Sequence, residues 1–214
     1  MSEGDVAPSM SDPLLAHLPK ARRRWARTDP VMAALSRSRP MPARAIETTT
    51  PFEALATSII HQQVSLAAGR VIVSRVAAAA GGNLAPAGVL AAGPDRLRAA
   101  GLSRPKTAYV LDLAERAHTG ALDLDALASM DDAAVVDALT EVKGIGVWTA
   151  KMFLIFHLAR PDVLAPEDLG LQIAVAKAYK VPRARAAAKM TKLAPAWSPY
   201  ASLAALTLWA SRRD

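Results

Sequence analysis

The chain has 214 residues, four histidines and no cysteine, and its 26 Lys and Arg against 19 Asp and Glu give a net charge of +7. The lack of cysteine excludes disulfides, iron–sulfur clusters and thiol chemistry, and scattered histidines without HxH or HExxH spacing argue against a zinc site. The charge favours an anionic partner, although a membrane surface would also suit it. No apolar run approaches the ~18–20 residues that span a bilayer. No secretion signal is visible at the N-terminus, so the expected setting is intracellular.

Residues 1–12 (MSEGDVAPSMSD) are small, polar and aperiodic and read as a disordered tail. A short helix is expected over 13–18. The basic run Lys20-Ala-Arg-Arg-Arg-Trp25 reads either as a phosphate contact or as a solvated helix face. Asp29-Pro30 starts a helix to about Ser36, with Asp as cap and Pro in the first turn. Thr50-Pro51-Phe52-Glu53 is a capping box that launches a helix over 52–62, with Phe52, Leu55, Ile59 and Ile60 near one face. Gln62-Gln63-Val64 breaks it, Ser65 caps the next helix (66–80), and Gly81-Gly82 stops that one.

Further along, 94–99 reads as a short helix, and Ser103-Arg104-Pro105-Lys106 starts another that reaches about Ala117. Residues 124–130 form a helical turn, and Asp131 caps a helix ending near Leu139. A tight hairpin, Lys143–Gly146, then leads into an apolar helix from Val147 to about Ala159. A Pro-bounded turn (160–166) brings the carboxylates Glu167 and Asp168 to the start of a helix that runs to Tyr179, and Pro182 begins another. Trp197-Ser198-Pro199 repeats the cap-and-Pro device for a last helix over 199–211. No segment alternates in the manner of a strand, so the expected fold is all-α.

The hairpin Gly144-Ile145-Gly146 is the informative motif. Glycine permits positive φ and close approach of a partner, and a helix opening directly afterwards presents unpaired N–H groups to an anion. Three readings compete: a dinucleotide loop, a plain structural hairpin, and a grip on a DNA backbone. The first needs a preceding strand and Gly or Ala at the sixth position. Here the sixth position is Thr149, and the preceding segment 131–139 has helical spacing.

Four strings, FEALATSIIHQQVSLAAGRVI, GLSRPKTAYVLDLA, VKGIGVWTA and WSPYASLAALTLW, together with a carboxylate twenty residues after Trp148, carry a resemblance over most of the chain from about Asp29. The chain resembles the helix–hairpin–helix (HhH-GPD) base-excision DNA glycosylases. Within them it is most similar to the 3-methyladenine DNA glycosylase II group, in a compact form without an N-terminal β-subdomain. The resemblance implies a single domain over 13–214 of two helical lobes with the active-site cleft between them, the hairpin spanning 131–159. It implies a monomer acting on damaged double-stranded DNA, with no nucleotide cofactor and no membrane.

By the same resemblance Gln63 is the wedge that fills the hole left by an extruded base, with Gln62 and His61 beside it. Trp148, Met152 and Trp209 line the base pocket; Met152 stands where the family often has an aromatic, which leaves the preferred lesion open. Lys143, Gly144, Gly146 and Thr149 grip the DNA backbone, and the carbonyls of Thr140, Val142 and Ile145 are candidates for a structural Na+ or K+. Asp168 is the expected catalytic carboxylate, with Glu167 as its competitor and helix capping as a simpler role for either. Trp148 replaces the lysine with which strand-nicking members form a Schiff base, so base removal without strand cleavage is implied; Lys151 is off the matching position. Two rival readings remain: a catalytically silent DNA-binding scaffold, and a glycosylase for a non-alkyl lesion.

Overall fold

The computed structural model describes residues 12–38 and 49–212, and the regular structure among them is entirely helical. In chain order the helices are α1 (Leu18–Thr28), α2 (Pro30–Ser38), α3 (Pro51–His61), α4 (Leu66–Ala79), α5 (Pro86–Ala99) and α6 (Arg104–Thr119). They continue with α7 (Asp132–Thr140), α8 (Val147–Phe156), α9 (Leu169–Ala178), α10 (Ala186–Trp197) and α11 (Ala201–Ala210). None is long and apolar enough to cross a membrane among the described residues. Two compact units make up the chain: one from the described residues of Met1–Glu47 and Leu158–Asp214, the other Thr48–His157.

The first unit is built on α11, whose residues are all buried except Trp209, as expected of a helix that is apolar all round. Against α11 pack α2 and α9, while α10 lies on α1 and α9. Asp29 ties the unit together. Its Oδ1 caps α2 by accepting from the Met32 N–H (3.0 Å), and its Oδ2 accepts from Tyr179 Oη (2.5 Å) and Trp197 Nε1 (2.8 Å). Burial and the Asp29 carboxylate push the Tyr179 hydroxyl well above its ordinary pKa. A carboxylate that is only 4% exposed needs such donors, since an unpaired buried charge is costly.

Three expectations change here. The tail expected over 1–12 lies outside the described residues except for Asp12, which is buried and caps the first turn through the Leu14 N–H (2.9 Å). In the basic run, Trp25 is fully buried in the core, Arg22 donates to the Ser36 carbonyl and Arg24 Nη2 to that of Pro195 (2.9 Å). Those guanidiniums hold the helix packing together. The last helix begins at Ala201, two residues later than expected, because Ser198 does not cap it: its hydroxyl donates to Asp162 Oδ2 (2.6 Å). Asp162 Oδ1 instead accepts the Ala201 N–H (3.0 Å), a cap supplied from far along the chain.

The second unit begins with three serine or threonine caps. Thr50 accepts from the Glu53 N–H (3.2 Å), Ser65 from that of Ala68 (3.2 Å) and Ser103 from that of Lys106 (3.5 Å), opening α3, α4 and α6 where the sequence predicts. The helix expected over 94–99 is the second half of α5, which starts at Pro86 and bends at Gly93 (φ +69°) ahead of Pro94. α5 lies along α6, α3 packs on α4, α6 and α8, and α7 pairs with α8 through the hairpin. α8 ends at Phe156, three residues short of the expected Ala159.

Candidate active site and nucleic-acid interface

In the first unit, the turn after α8 delivers Asp168 to the N-cap of α9. Its Oδ1 accepts from the Leu171 N–H (2.7 Å) and from Trp209 Nε1 (2.9 Å), and the residue is 8% exposed. Glu167, the competitor, is exposed. The capping role and a catalytic role therefore coexist in Asp168: one bond fixes the carboxylate to its own helix, and the second ties it to α11. Together the two donors fix the orientation of the carboxylate. Trp209 thus does more than was expected of a pocket wall, because its indole N–H orients the carboxylate.

Gly170 completes this corner and was not singled out from the sequence. A Cβ added there would lie 2.6 Å from Arg212 Nη1, 3.0 Å from Asp168 Oδ1 and 3.2 Å from Trp209 Nε1. The carboxylate and indole can approach the first turn of α9 this closely because position 170 has no side chain. A lone glycine inside a helical pattern is the only trace of this that the sequence carries.

In the second unit, Asp131 caps α7 (Ala134 N–H, 2.8 Å), and the chain turns through residues 141–146 into α8. The two hairpin glycines differ. Gly144 has φ +84°, and a Cβ there would lie 2.2 Å from Cδ2 of the Tyr109 ring. Gly146 has φ −99°, not the expected positive value, and a Cβ there would meet nothing within 4 Å. Gly144 is required by the protein's own packing; the open space at Gly146 is what a close-approaching partner would need. Gly146 is also the N-cap of α8 and offers no side-chain cap, unlike Thr50, Ser65, Ser103, Asp131 and Asp168 at their helices.

The other hairpin residues divide. The Lys143 ammonium is exposed, but its backbone N–H donates to Asp112 Oδ2 (3.0 Å), with Nζ 3.8 Å from Asp112 Oδ1. Thr149, expected to contact the DNA backbone, is buried. Trp148 is 43% exposed, and Met152, one turn on along the same face of α8, is half-buried. Of the three candidate cation-holding carbonyls, that of Val142 accepts from the Ile145 N–H (3.0 Å), which occupies one of its two lone pairs. No cluster of His, Cys, Asp or Glu suited to a metal occurs among the described residues.

Of the expected wedge residues, His61 ends α3 and Gln62 and Gln63 lie in the α3–α4 loop. Gln63 is exposed, with φ +57°, a conformation uncommon for a side chain larger than glycine. Gln62 is half-buried, its Nε2 donating to the Gly144 carbonyl (2.9 Å). The imidazole of His61 lies against Gly69 on α4, where an added Cβ would be 2.5 Å from Nδ1. Of the three, Gln63 alone points to no partner of its own fold among these contacts. Lys106, Tyr109 and Asp112 were not picked out from the sequence; their spacing places them on one side of α6, but only the fold shows what that side touches.

The model of HhH-GPD superfamily base excision DNA repair proteins matches residues 56–199. A Bacillus subtilis relative, YfjP, is 31% identical over 160 residues, which is 72% of this chain and 56% of the relative, so the chain spans little more than half its length. The crystal structure of a DNA-3-methyladenine glycosidase from Bacillus halodurans superposes with a TM-score of 0.76 at 32% identity, covering 89% of this chain and 88% of that one. A 3-methyladenine DNA glycosylase of Schizosaccharomyces pombe, solved in complex with abasic DNA, gives 0.77 at 26% identity, covering 89% and 95%. With its hairpin, its capped carboxylate and its helical architecture, the chain belongs to the HhH-GPD superfamily of base excision DNA repair proteins.

Proposed function

We propose that this protein is a monofunctional DNA glycosylase that hydrolyses the N-glycosidic bond of alkylated bases in duplex DNA and leaves an abasic site. The observation that carries the reading is Asp168: a nearly buried carboxylate held by two donors on adjacent helices of a family member. Breaking the bond to the base leaves positive charge at the sugar C1′, as in glycoside hydrolysis. A fixed anion at about 4 Å, with an effective dielectric near 20, stabilises that charge by ~4 kcal/mol, or roughly a thousandfold in rate. The bonding electrons leave with the base, water oriented by Asp168 adds to C1′, and the proton this water loses passes to the Asp168 carboxylate and from there to solvent.

A purine alkylated at ring N3 or N7 is already cationic and departs without a general acid. The indole of Trp209, bonded to Asp168, suits such a base, an electron-rich face attracting a desolvated cation by up to ~2 kcal/mol. The second unit supplies the grip, with the uncapped start of α8 and the open backbone at Gly146 facing phosphate and Gln63 entering the stack in place of the extruded base. The carbonyls of Thr140, Val142 and Ile145 are a candidate seat for a Na+ or K+, and no step depends on that ion. With an indole at position 148 there is no amine for a Schiff base, so borohydride should trap no covalent adduct.

The test is incubation with methylated duplex DNA, resolving free bases by chromatography and abasic sites by alkaline cleavage. Release of alkylated purines without strand nicking is expected, and the released bases define the substrate class. DNA binding with no release from any alkylated substrate would leave a scaffold or a different lesion as the function.

A further inference from the structure

The wedge loop is held from an unexpected direction. α3 ends at His61; its Ile59 carbonyl accepts from the Gln62 N–H (3.3 Å) and that of His61 from the Val64 N–H (3.4 Å), while those of Ile60 and Gln62 take a side-chain donor. The Lys106 ammonium, in the first turn of α6, donates to the carbonyls of Ile60 (2.7 Å) and Gln62 (2.5 Å). Burial pushes this lysine below its ordinary pKa, so the two carbonyl dipoles are its compensation. Immediately after the second clamped carbonyl comes Gln63, at φ +57°. A left-handed non-glycine residue is strained and persists only where its surroundings impose it.

The same side of α6 holds the hairpin. Tyr109 lays its ring under Gly144, and Asp112 accepts the Lys143 N–H (3.0 Å). Residues 106, 109 and 112 follow at three-residue intervals, so they form one stripe along the helix. Gln62 closes the circuit by donating to the Gly144 carbonyl (2.9 Å). The loop that carries Gln63 and the hairpin that carries Gly146 are thus both registered by α6, within one unit of the fold.

We propose that Lys106 is the positioning residue of the DNA wedge: by clamping the carbonyls of Ile60 and Gln62 it holds Gln63 in the left-handed conformation needed for insertion, in fixed register with the hairpin. This rests on the glycosylase reading above and on Gln63 as the wedge. Lys106 touches neither the base nor the reacting bond. Its loss acts on the extrusion step and leaves the Asp168 chemistry and the hairpin's hold on DNA in place.

The experiment compares wild type, Lys106→Met, Lys106→Arg, Gln63→Ala and the Lys106→Met/Gln63→Ala double variant on duplex DNA with an alkylated base beside 2-aminopurine. Single-turnover excision, the fluorescence rise on unstacking, and affinity for undamaged duplex are measured for each. Lys106→Met is expected to lower the excision rate and the fluorescence amplitude together by about tenfold, with affinity for undamaged DNA within about twofold and recovery in Lys106→Arg. The double variant should fall little below Gln63→Ala, because both substitutions disable one device. Full activity of Lys106→Met beside an impaired Gln63→Ala overturns the role of Lys106 alone, as does full additivity of the two. An unimpaired Gln63→Ala overturns the wedge assignment and this inference with it, whereas a wild type that releases no base overturns the glycosylase reading itself. Should Lys106→Met fail to fold, Lys106→Gln replaces it, keeping a donor too short to span both carbonyls; the same loss in rate and amplitude is expected, and its absence overturns the proposal.

Discussion

Asp168 and Trp209 share a hydrogen bond of 2.9 Å, and the two residues can be separated by substitution. Trp209→Phe keeps an aromatic face and removes the indole N–H. The carboxylate then loses one donor, and single-turnover excision is expected to fall about tenfold, the size of one charge-assisted bond of ~1.5 kcal/mol. An unchanged rate would mean that Leu171 alone suffices to orient Asp168. Gly170→Ala presses on the same corner, since its methyl would meet Asp168 Oδ1 at 3.0 Å and Trp209 Nε1 at 3.2 Å. Excision should suffer more than the thermal midpoint, and equal losses in both would mark Gly170 as a packing residue only. At this scale the helix cap at Asp168 was readable from a carboxylate closely following Pro166, while the chemistry expected of Asp168 and Trp148 came from the resemblance. The sequence was silent on Gly170 and on the second role of Trp209, because both depend on what α11 brings to α9.

The hairpin shows what an element adds. Two glycines that look equivalent in Gly144-Ile145-Gly146 have different causes. Gly144→Ala must leave a left-handed backbone and displace the Tyr109 ring, so a loss of stability of about 2 kcal/mol or more is expected in urea unfolding. Gly146→Ala meets nothing, and its cost to the fold should stay below about 1 kcal/mol. Its penalty belongs in DNA affinity, and a Gly146→Ala protein that binds duplex as well as wild type would remove Gly146 from the interface. At the other end of α8, His157 stacks on Phe153 (4.7 Å between rings), and burial holds its pKa below the ordinary histidine value. A histidine whose folded pKa is depressed binds fewer protons folded than unfolded, so stability falls as pH drops through the ordinary range near 6.5 and towards the folded value. His157→Gln should flatten that part of the pH–stability curve; an identical slope in the variant assigns it to other groups.

For the whole molecule, the all-helical architecture was legible because helix starts are written locally. Thr50, Ser65, Ser103, Asp131 and Asp168 each cap the helix that the spacing predicts. One miss lies where the cap is non-local: α11 is capped by Asp162 and not by Ser198, and no local pattern announces a donor–acceptor pair 39 residues apart. The basic run at 20–25 was ambiguous for a related reason, since Arg22 and Arg24 find carbonyls on other helices. The net charge of +7 has a testable consequence. Affinity for undamaged duplex should fall by at least about tenfold between 50 and 200 mM salt, as counterions released from roughly two or more phosphates require. A flat salt dependence would contradict phosphate contacts as the source of binding.

The most direct test of the account is the single-turnover rate of base release by Asp168→Asn on alkylated duplex DNA, measured beside its affinity for that DNA. Asparagine retains an oxygen that can accept from Leu171 and Trp209 but carries no charge to set against the sugar cation. The account expects the rate to fall by roughly a thousandfold while affinity changes by no more than a few-fold. An Asp168→Asn protein that releases bases at the wild-type rate would show that the capped carboxylate is not the catalytic group.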